Sequence, residues 1–453
     1  MQFPSFFNFI YAITVRAKRR SFLHNVYSSI MTTFPASFLS FHRLSFFSPA
    51  SAEQKSRNVS QFSANNAGAP TGGEVLKTKA DRFYILDFVR LVAMVMMMQG
   101  HTLDALVSPE YLNVGAFPWN VWHFIRGLTA PTFLLISGAV QVFATKRDAE
   151  GRISNKMLFK RLSWAFLIIG IGYLLVFPAN RIADLPFVTA EGWRTFFQVN
   201  ILQLSGVTLI ATTLLMYFTR SSRSFALISI GLALGILVVA PFAYQVDWFA
   251  YLPEGIAAYL SYSHGSLFAI LPFSAYMFAG VGVGVLLSEI PQRERERRFP
   301  RIAFVLGALF LALGVAGTYS PLTLFPAHNY YLASPHFAFI RVGCVLIAMS
   351  ALTYIYGFTR SFAEYYSRLG KKSLYIYVVH LVLLFGTPWF KGMAGGAAYR
   401  SMTVAEGAVM AAVVLAFSLV SAYIVDYFQR NSQAMRKGIR LSLMGVLLYA
   451  LLI

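Results

Sequence analysis

From Phe83 onward the chain alternates apolar runs of roughly 17–25 residues with short polar loops. About 20 apolar residues suffice to cross a bilayer as a helix, so each run is a candidate span. The runs fall near 83–106, 124–145, 162–178, 198–219, 224–244, 266–288, 302–320, 337–358, 373–390 and 403–425. A last run, 441–453, is short for a full crossing and either spans at the thinnest limit or lies at the interface. The pattern predicts an all-α, polytopic integral membrane helical bundle with about ten or eleven transmembrane helices.

Loop charges give the predicted bundle a direction. Lys146, Arg147, Arg152, Lys156, Lys160 and Arg161 follow the second run, and Arg220 and Arg223 follow the fourth. Arg293, Arg295, Arg297, Arg298 and Arg301 follow the sixth, with Arg360, Arg368, Lys371 and Lys372 after the eighth and Arg430, Arg436, Lys437 and Arg440 after the tenth. The alternate loops are poor in basic residues, and none occurs from 245 to 265. By the positive-inside rule the basic set is cytoplasmic, which places the residue before Phe83 inside as well. A single missed helix would scramble this alternation.

Composition agrees with a membrane protein: 57% of residues are hydrophobic and 12% charged, against about 25% charged in soluble proteins. The 38 Lys and Arg against 18 Asp and Glu would suggest nucleic acid in a soluble chain. Here they lie in loops between spans, so the excess is topological and no nucleic-acid partner is expected. Cys344 stands alone inside an apolar run, which excludes an intrachain disulfide and a thiolate metal cluster. Residues 1–80 differ from the rest, with no acidic residue before Glu53 and a cluster of Arg16, Lys18, Arg19 and Arg20. They read as an organelle transit peptide, or as a disordered tail or an over-long start with the real one near Met31, the last two being favoured together. Residues 51–79 are a polar linker, and 81–453 form the membrane domain.

Candidate chemistry concentrates in the first span. In a helix Asp87, Arg90, Met94, Met97, His101 and Asp104 follow one another in steps of three and four and share one face. A charged side chain costs roughly 2.5–3.5 kcal/mol at mid-membrane, so that face should turn to the protein interior or a wet cavity. His101 lies about 27 Å along the helix from Phe83, near the outer face, and the second span starts outside, so His123 and Arg126 fall at the same depth. Two imidazoles, Asp104 and Arg126 thus converge on one level, where an imidazole can move protons near neutrality and a carboxylate can fix its tautomer. Asp87 and Arg90, one turn apart, read first as a structural ion pair. Asn200 and Gln203 share a face of the fourth span and contact either a polar ligand or another helix.

In the ninth span Ser373, Tyr377 and His380 share a face, with His380 about 10 Å in from the cytoplasmic side. His380 is there either a buried histidine bonded to a neighbouring helix or a lining residue for a cofactor entering from the cytosol. Lys371 and Lys372 nearby would attract a polyphosphate such as the nucleotide of coenzyme A, or serve topology alone. The phosphate-loop, His-Glu-x-x-His and Gly-x-Ser-x-Gly signatures are absent from the sequence, and no metal is expected.

The stretch ILDFVRLVAMVMMMQGHTLDAL resembles the first catalytic-domain helix of bacterial relatives of heparan-alpha-glucosaminide N-acetyltransferase. HFIRGLTAPTFLLISG, NILQLSGVTLI, LPFSAYMFAGVGVG and KSLYIYVVHLVLL continue the likeness in the same order, over about residues 81–390. The last of these is also similar to the wider membrane O-acyltransferases that modify bacterial polysaccharides. The resemblance implies a polytopic enzyme of the bacterial inner membrane that takes an acetyl group from cytoplasmic acetyl-CoA. It would give that group to the amine or hydroxyl of a saccharide or glycolipid acceptor across the membrane. It also implies catalytic roles for His123, before the Thr-Ala-Pro stretch, and for His101. A transporter or flippase of a saccharide or lipid-linked precursor is the alternative from another class, and a non-enzymatic partner in a cell-envelope assembly is a third.

Overall fold

The structure, a computed structural model, describes residues 83–431 apart from 146, 323 and 397. The amino-terminal extension 1–80 and the short apolar run 441–453 lie outside the described residues. Helix α1 (Tyr84–Leu106) is followed by α2 (Trp119–Gly127) and α3 (Thr129–Ala144), which meet at Leu128. Next come α4 (Asn155–Leu175), α5 (Ala190–Phe197), α6 (Ile201–Phe218), α7 (Ser222–Ala243) and α8 (Glu254–Ala257). The chain continues through α9 (Ile270–Glu289), α10 (Gln292–Thr318), α11 (Tyr330–Ala333) and α12 (Pro335–Phe358). Last are α13 (Ala363–Lys371), α14 (Ser373–Phe385), a small antiparallel hairpin of β1 (Gly386–Thr387) and β2 (Phe390–Lys391), and α15 (Val404–Asn431).

Among the described residues eight helices are long and apolar enough to cross a membrane, α2 and α3 counting as one. Two more complete the set predicted between 83 and 425. Helix α1, at 23 residues, is long enough but carries the polar stripe, and α14 has only 13 residues. The starts of α4, α7 and α12 are chemically marked: the Ser154, Ser221 and Ser334 side chains accept hydrogen bonds from the backbones of Met157, Ser224 and Phe337, satisfying amides that a helix start leaves open. Helix α10 begins ten residues earlier than the apolar run it contains, because QRERERR continues the helix and Glu294 pairs with Arg298 one turn on, at 2.5 Å.

Successive spans run in alternating directions, so the bundle has a Tyr84 end and a Leu106 end. At the centre α9 lies directly on α3: a Cβ on Gly280 would run into the Leu135 carbonyl, and one on Gly138 into that of Met277. Glycine lets these backbones touch, which is how helices associate where no hydrophobic force drives them together. Helix α1 is enclosed nearly all round, with buried residues on every face, by α3, α13, α14 and α15. By contrast α7 leaves Leu227, Ile230, Leu234 and Val238 exposed along its length, the face a bilayer covers.

Candidate active site

The polar stripe of α1 is shared among several neighbouring helices. Near the Tyr84 end Asp87 is buried, 7% exposed, against the backbone of Gly370 in α13. Fourteen residues on, about 21 Å along the helix, His101 faces α14 and Asp104 faces α2. The Arg126 guanidinium forms an ion pair with Asp104. Its side chain crosses the helix at Gly100, where a Cβ would stand 2.6 Å from the Arg126 Cδ. Gly100 is therefore the notch that lets the arginine reach across α1.

Arg126 also organises α2. Its guanidinium lies 3.4 Å from the His123 Nδ1 and 5.3 Å from the centre of the Trp122 ring, while the Trp122 Nε1 donates to the Gln99 Oε1 at 3.3 Å. A guanidinium can only donate, so the Nδ1 of His123 accepts and the proton of its neutral ring sits on Nε2.

The ring stacked on His101 is that of His380, with centroids 5.7 Å apart and planes 23° from parallel. The sequence brought His123 to the level of His101 but did not bring His380 there. The end of α14 shows how they meet. Its apolar run continues to Phe390, but Gly386, at φ 78°, ends the helix at Phe385. Counted from the Leu106 end, His101 is five residues below Leu106 and His380 five below Phe385, about 7.5 Å in each case. Their depths match.

His380 is fully buried and its Nδ1 lies 3.2 Å from the Ile376 carbonyl. The carbonyl can only accept, so Nδ1 carries the proton and Nε2 holds a lone pair. That Nε2 has no hydrogen-bond partner among the described residues. Tyr377 packs edge-on to His380 at 5.2 Å, and Phe385 edge-on to His101 at 6.1 Å.

Other predicted residues lie elsewhere. Asn200 caps the start of α6, its carbonyl accepting from the Leu204 amide at 3.1 Å. Gln203 is fully buried with its amide packed on Gly172 of α4, and neither amide atom is hydrogen-bonded. The Lys372 ammonium is held by Gln429 at 2.5 Å and lies 3.6 Å from Asp426 in α15, whose carboxylate also pairs with Arg430 at 2.8 Å.

At the Leu106 end a cavity of about 420 Å³ is lined by Phe177, Asn180, Asp184, Thr189 and Pro388 among others. The hairpin after α14 closes one side of it. Trp389 donates its Nε1 to the Asn180 carbonyl at 2.7 Å and stacks on Phe177 at 5.9 Å. Pro388 lies three residues past Phe385, so no more than about 10 Å of chain separates the cavity wall from the helix end that packs on His101.

The family model described as heparan-alpha-glucosaminide N-acetyltransferase, catalytic, matches residues 82–314, just over half of the chain. A comparison with curated proteins finds no match. The matched stretch holds His101, Asp104, His123 and Arg126, whereas Tyr377 and His380 come from beyond it.

Proposed function

This chain belongs to the heparan-alpha-glucosaminide N-acetyltransferase family, and from that premise we propose that residues 81–453 form a membrane acetyltransferase using acetyl-CoA as donor. The acceptor is the amine or hydroxyl of a sugar, bound at the Leu106 end. That end is the outer one by the positive-inside rule, since the basic loops gather at the other. The cavity beside Trp389 is the acceptor's vestibule: it falls within the 300–1,000 Å³ common for small-ligand sites, and it offers aromatic faces and polar edges together.

His101 is the base. The acceptor's nitrogen or oxygen attacks the thioester carbonyl, its new bond to carbon forming as the carbon–sulfur bond breaks. His101 takes the proton and returns it to the departing coenzyme A sulfur. His123 is less suited, because its Nδ1 lone pair is already engaged by Arg126. His380 holds His101 in register, and two stacked imidazoles resist a second charge, so protonating one keeps the other neutral. Arg126, fixed by Asp104, steadies the negative charge that develops on the thioester oxygen.

The observation that carries this reading is the stacked His101–His380 pair at matched depth, with an anchored arginine beside the same helix. Acetyl transfer from labelled acetyl-CoA in membranes tests it. Full activity in both His101→Ala and His380→Ala would reject it, and saccharide movement without any acetylated product would replace it with the flippase reading.

A further inference from the structure

A second polar cluster lies between α9 and α12, apart from the histidines. Arg341 stands six residues into α12 and Tyr276 six residues into α9, both about 9 Å below the Leu106 end. The Arg341 guanidinium lies over the ring of Phe337 at 4.3 Å and that of Phe273 at 5.6 Å. It has no carboxylate within 4.0 Å among the described residues. The buried Tyr276 hydroxyl lies beside the guanidinium and interacts with it, without the geometry of a full hydrogen bond.

Around them the remaining hydroxyls are committed. Tyr262 donates to the Leu271 and Leu332 carbonyls at 3.2 and 3.4 Å, and Tyr330 shares a hydrogen bond with Thr318 at 2.8 Å. Burial pushes the Tyr262 phenol up, and that of Tyr330 up to about 12, despite the cation nearby. Both therefore remain protonated at neutral pH. What is left over is a donor-rich pair, the guanidinium and the Tyr276 hydroxyl beside it, with no carboxylate among the described residues to meet them. Aromatic rings attract a cation but take up none of its N–H groups in ordinary hydrogen bonds.

We propose that Arg341 and Tyr276 bind an oxyanion of the phosphate type, the guanidinium fork taking two oxygens and the tyrosine hydroxyl a third. Guanidinium geometry suits phosphate in this way. The depth suits the phosphate of a lipid headgroup, which an arginine can reach by extending its side chain toward the interface. A soluble phosphate entering from the Leu106 end offers the same chemistry.

Thermal unfolding of the full chain in a maltoside detergent separates these sources. Three probes are added in turn: phosphatidylglycerol, inorganic phosphate and a phosphate-free galactolipid of matched chains. Stabilisation by phosphatidylglycerol alone assigns the site to lipid, and stabilisation by inorganic phosphate assigns it to a soluble ligand. In Arg341→Met the half-saturating concentration of the active probe rises at least about tenfold, the scale of one lost charge-assisted contact. Tyr276→Phe, which keeps the ring and the packing, raises it about threefold and remains readable should the arginine variant fold poorly. No stabilisation by either phosphate probe, an equal response to the galactolipid, or responses unchanged in the folded variants would overturn the proposal.

Discussion

The two polar clusters sit at nearly the same depth, five and six residues below the helix ends, and have opposite chemistry. His101 and His380 are amphoteric: each ring can hold or release a proton, and the Nδ1 of His380 is tied to the Ile376 carbonyl, which leaves its Nε2 lone pair unused. Arg341 can only donate, and the Tyr276 hydroxyl stands beside it. Each cluster departs from good packing in one respect, an unused lone pair on His380 in the first and a guanidinium without a carboxylate beside a buried phenol in the second. A buried polar group left unsatisfied costs about 1–3 kcal/mol, so neither is explained by stability. The difference teaches what each can do: the first can transfer a proton, while the second can only hold a charge.

The largest expected effect breaks the first cluster and spares the second. His101→Ala should lower the rate of acetyl transfer by about two to four orders of magnitude, the range for losing a general base, and His380→Ala by about tenfold to a hundredfold through lost positioning. Both variants should keep the full thermal response to whichever phosphate probe stabilises the unaltered chain. Loss of that response in either would mean that the clusters form one site. His123→Ala ranks lower, with a loss of about tenfold or less, because its lone pair serves Arg126. Rates measured in parallel on labelled acetyl-CoA rank the three, and a His123 effect larger than that of His101 would reverse the assignment of the base.

Much of this was legible in the sequence, for a physical reason. A bilayer tolerates only helices with their polar backbone satisfied internally, so apolar run length and loop charge located ten spans. The stripe on α1 was likewise visible as a run of steps of three and four. The contact of His380 with His101 was hidden because hydrophobicity continues through Phe390, whereas the helix stops before Gly386 and Pro388, and it is from that end that the two depths match. Arg341 was passed over as a lone charge inside PHFAFIRVGCVLIAM. Its environment is assembled from Phe273 and Tyr276 in α9, Tyr262 in a loop and Tyr330 in α11, which no local window brings together.

Arg126→Gln removes the charge that Asp104 answers. The carboxylate is 39% exposed, so solvent takes up much of the loss and the stability cost stays on the order of 1 kcal/mol. Activity should fall about tenfold to a hundredfold if the guanidinium stabilises the transition state. The fall should appear in kcat, with the KM for acetyl-CoA little changed. Restoring charge balance with Asp104→Asn in the same chain should recover the unfolding temperature without recovering the rate.

The smallest effect is also the most discriminating. Gly100→Ala puts a Cβ where the Arg126 Cγ and Cδ now lie, at 2.7 and 2.6 Å. The obstacle is a flexible side chain rather than backbone, so the helix survives and the arginine moves. Alanine in a helix interior gains about 0.8–1 kcal/mol over glycine, which offsets the crowding and leaves the unfolding temperature nearly unchanged. Arg126 is nonetheless pushed off its line to Asp104, and kcat should fall about threefold to tenfold. A stable protein with reduced kcat would tie catalysis to where the arginine sits rather than to whether the bundle folds. Unchanged kcat, with the ion pair shown to be displaced, would remove Arg126 from the reaction and leave the histidine pair to act alone.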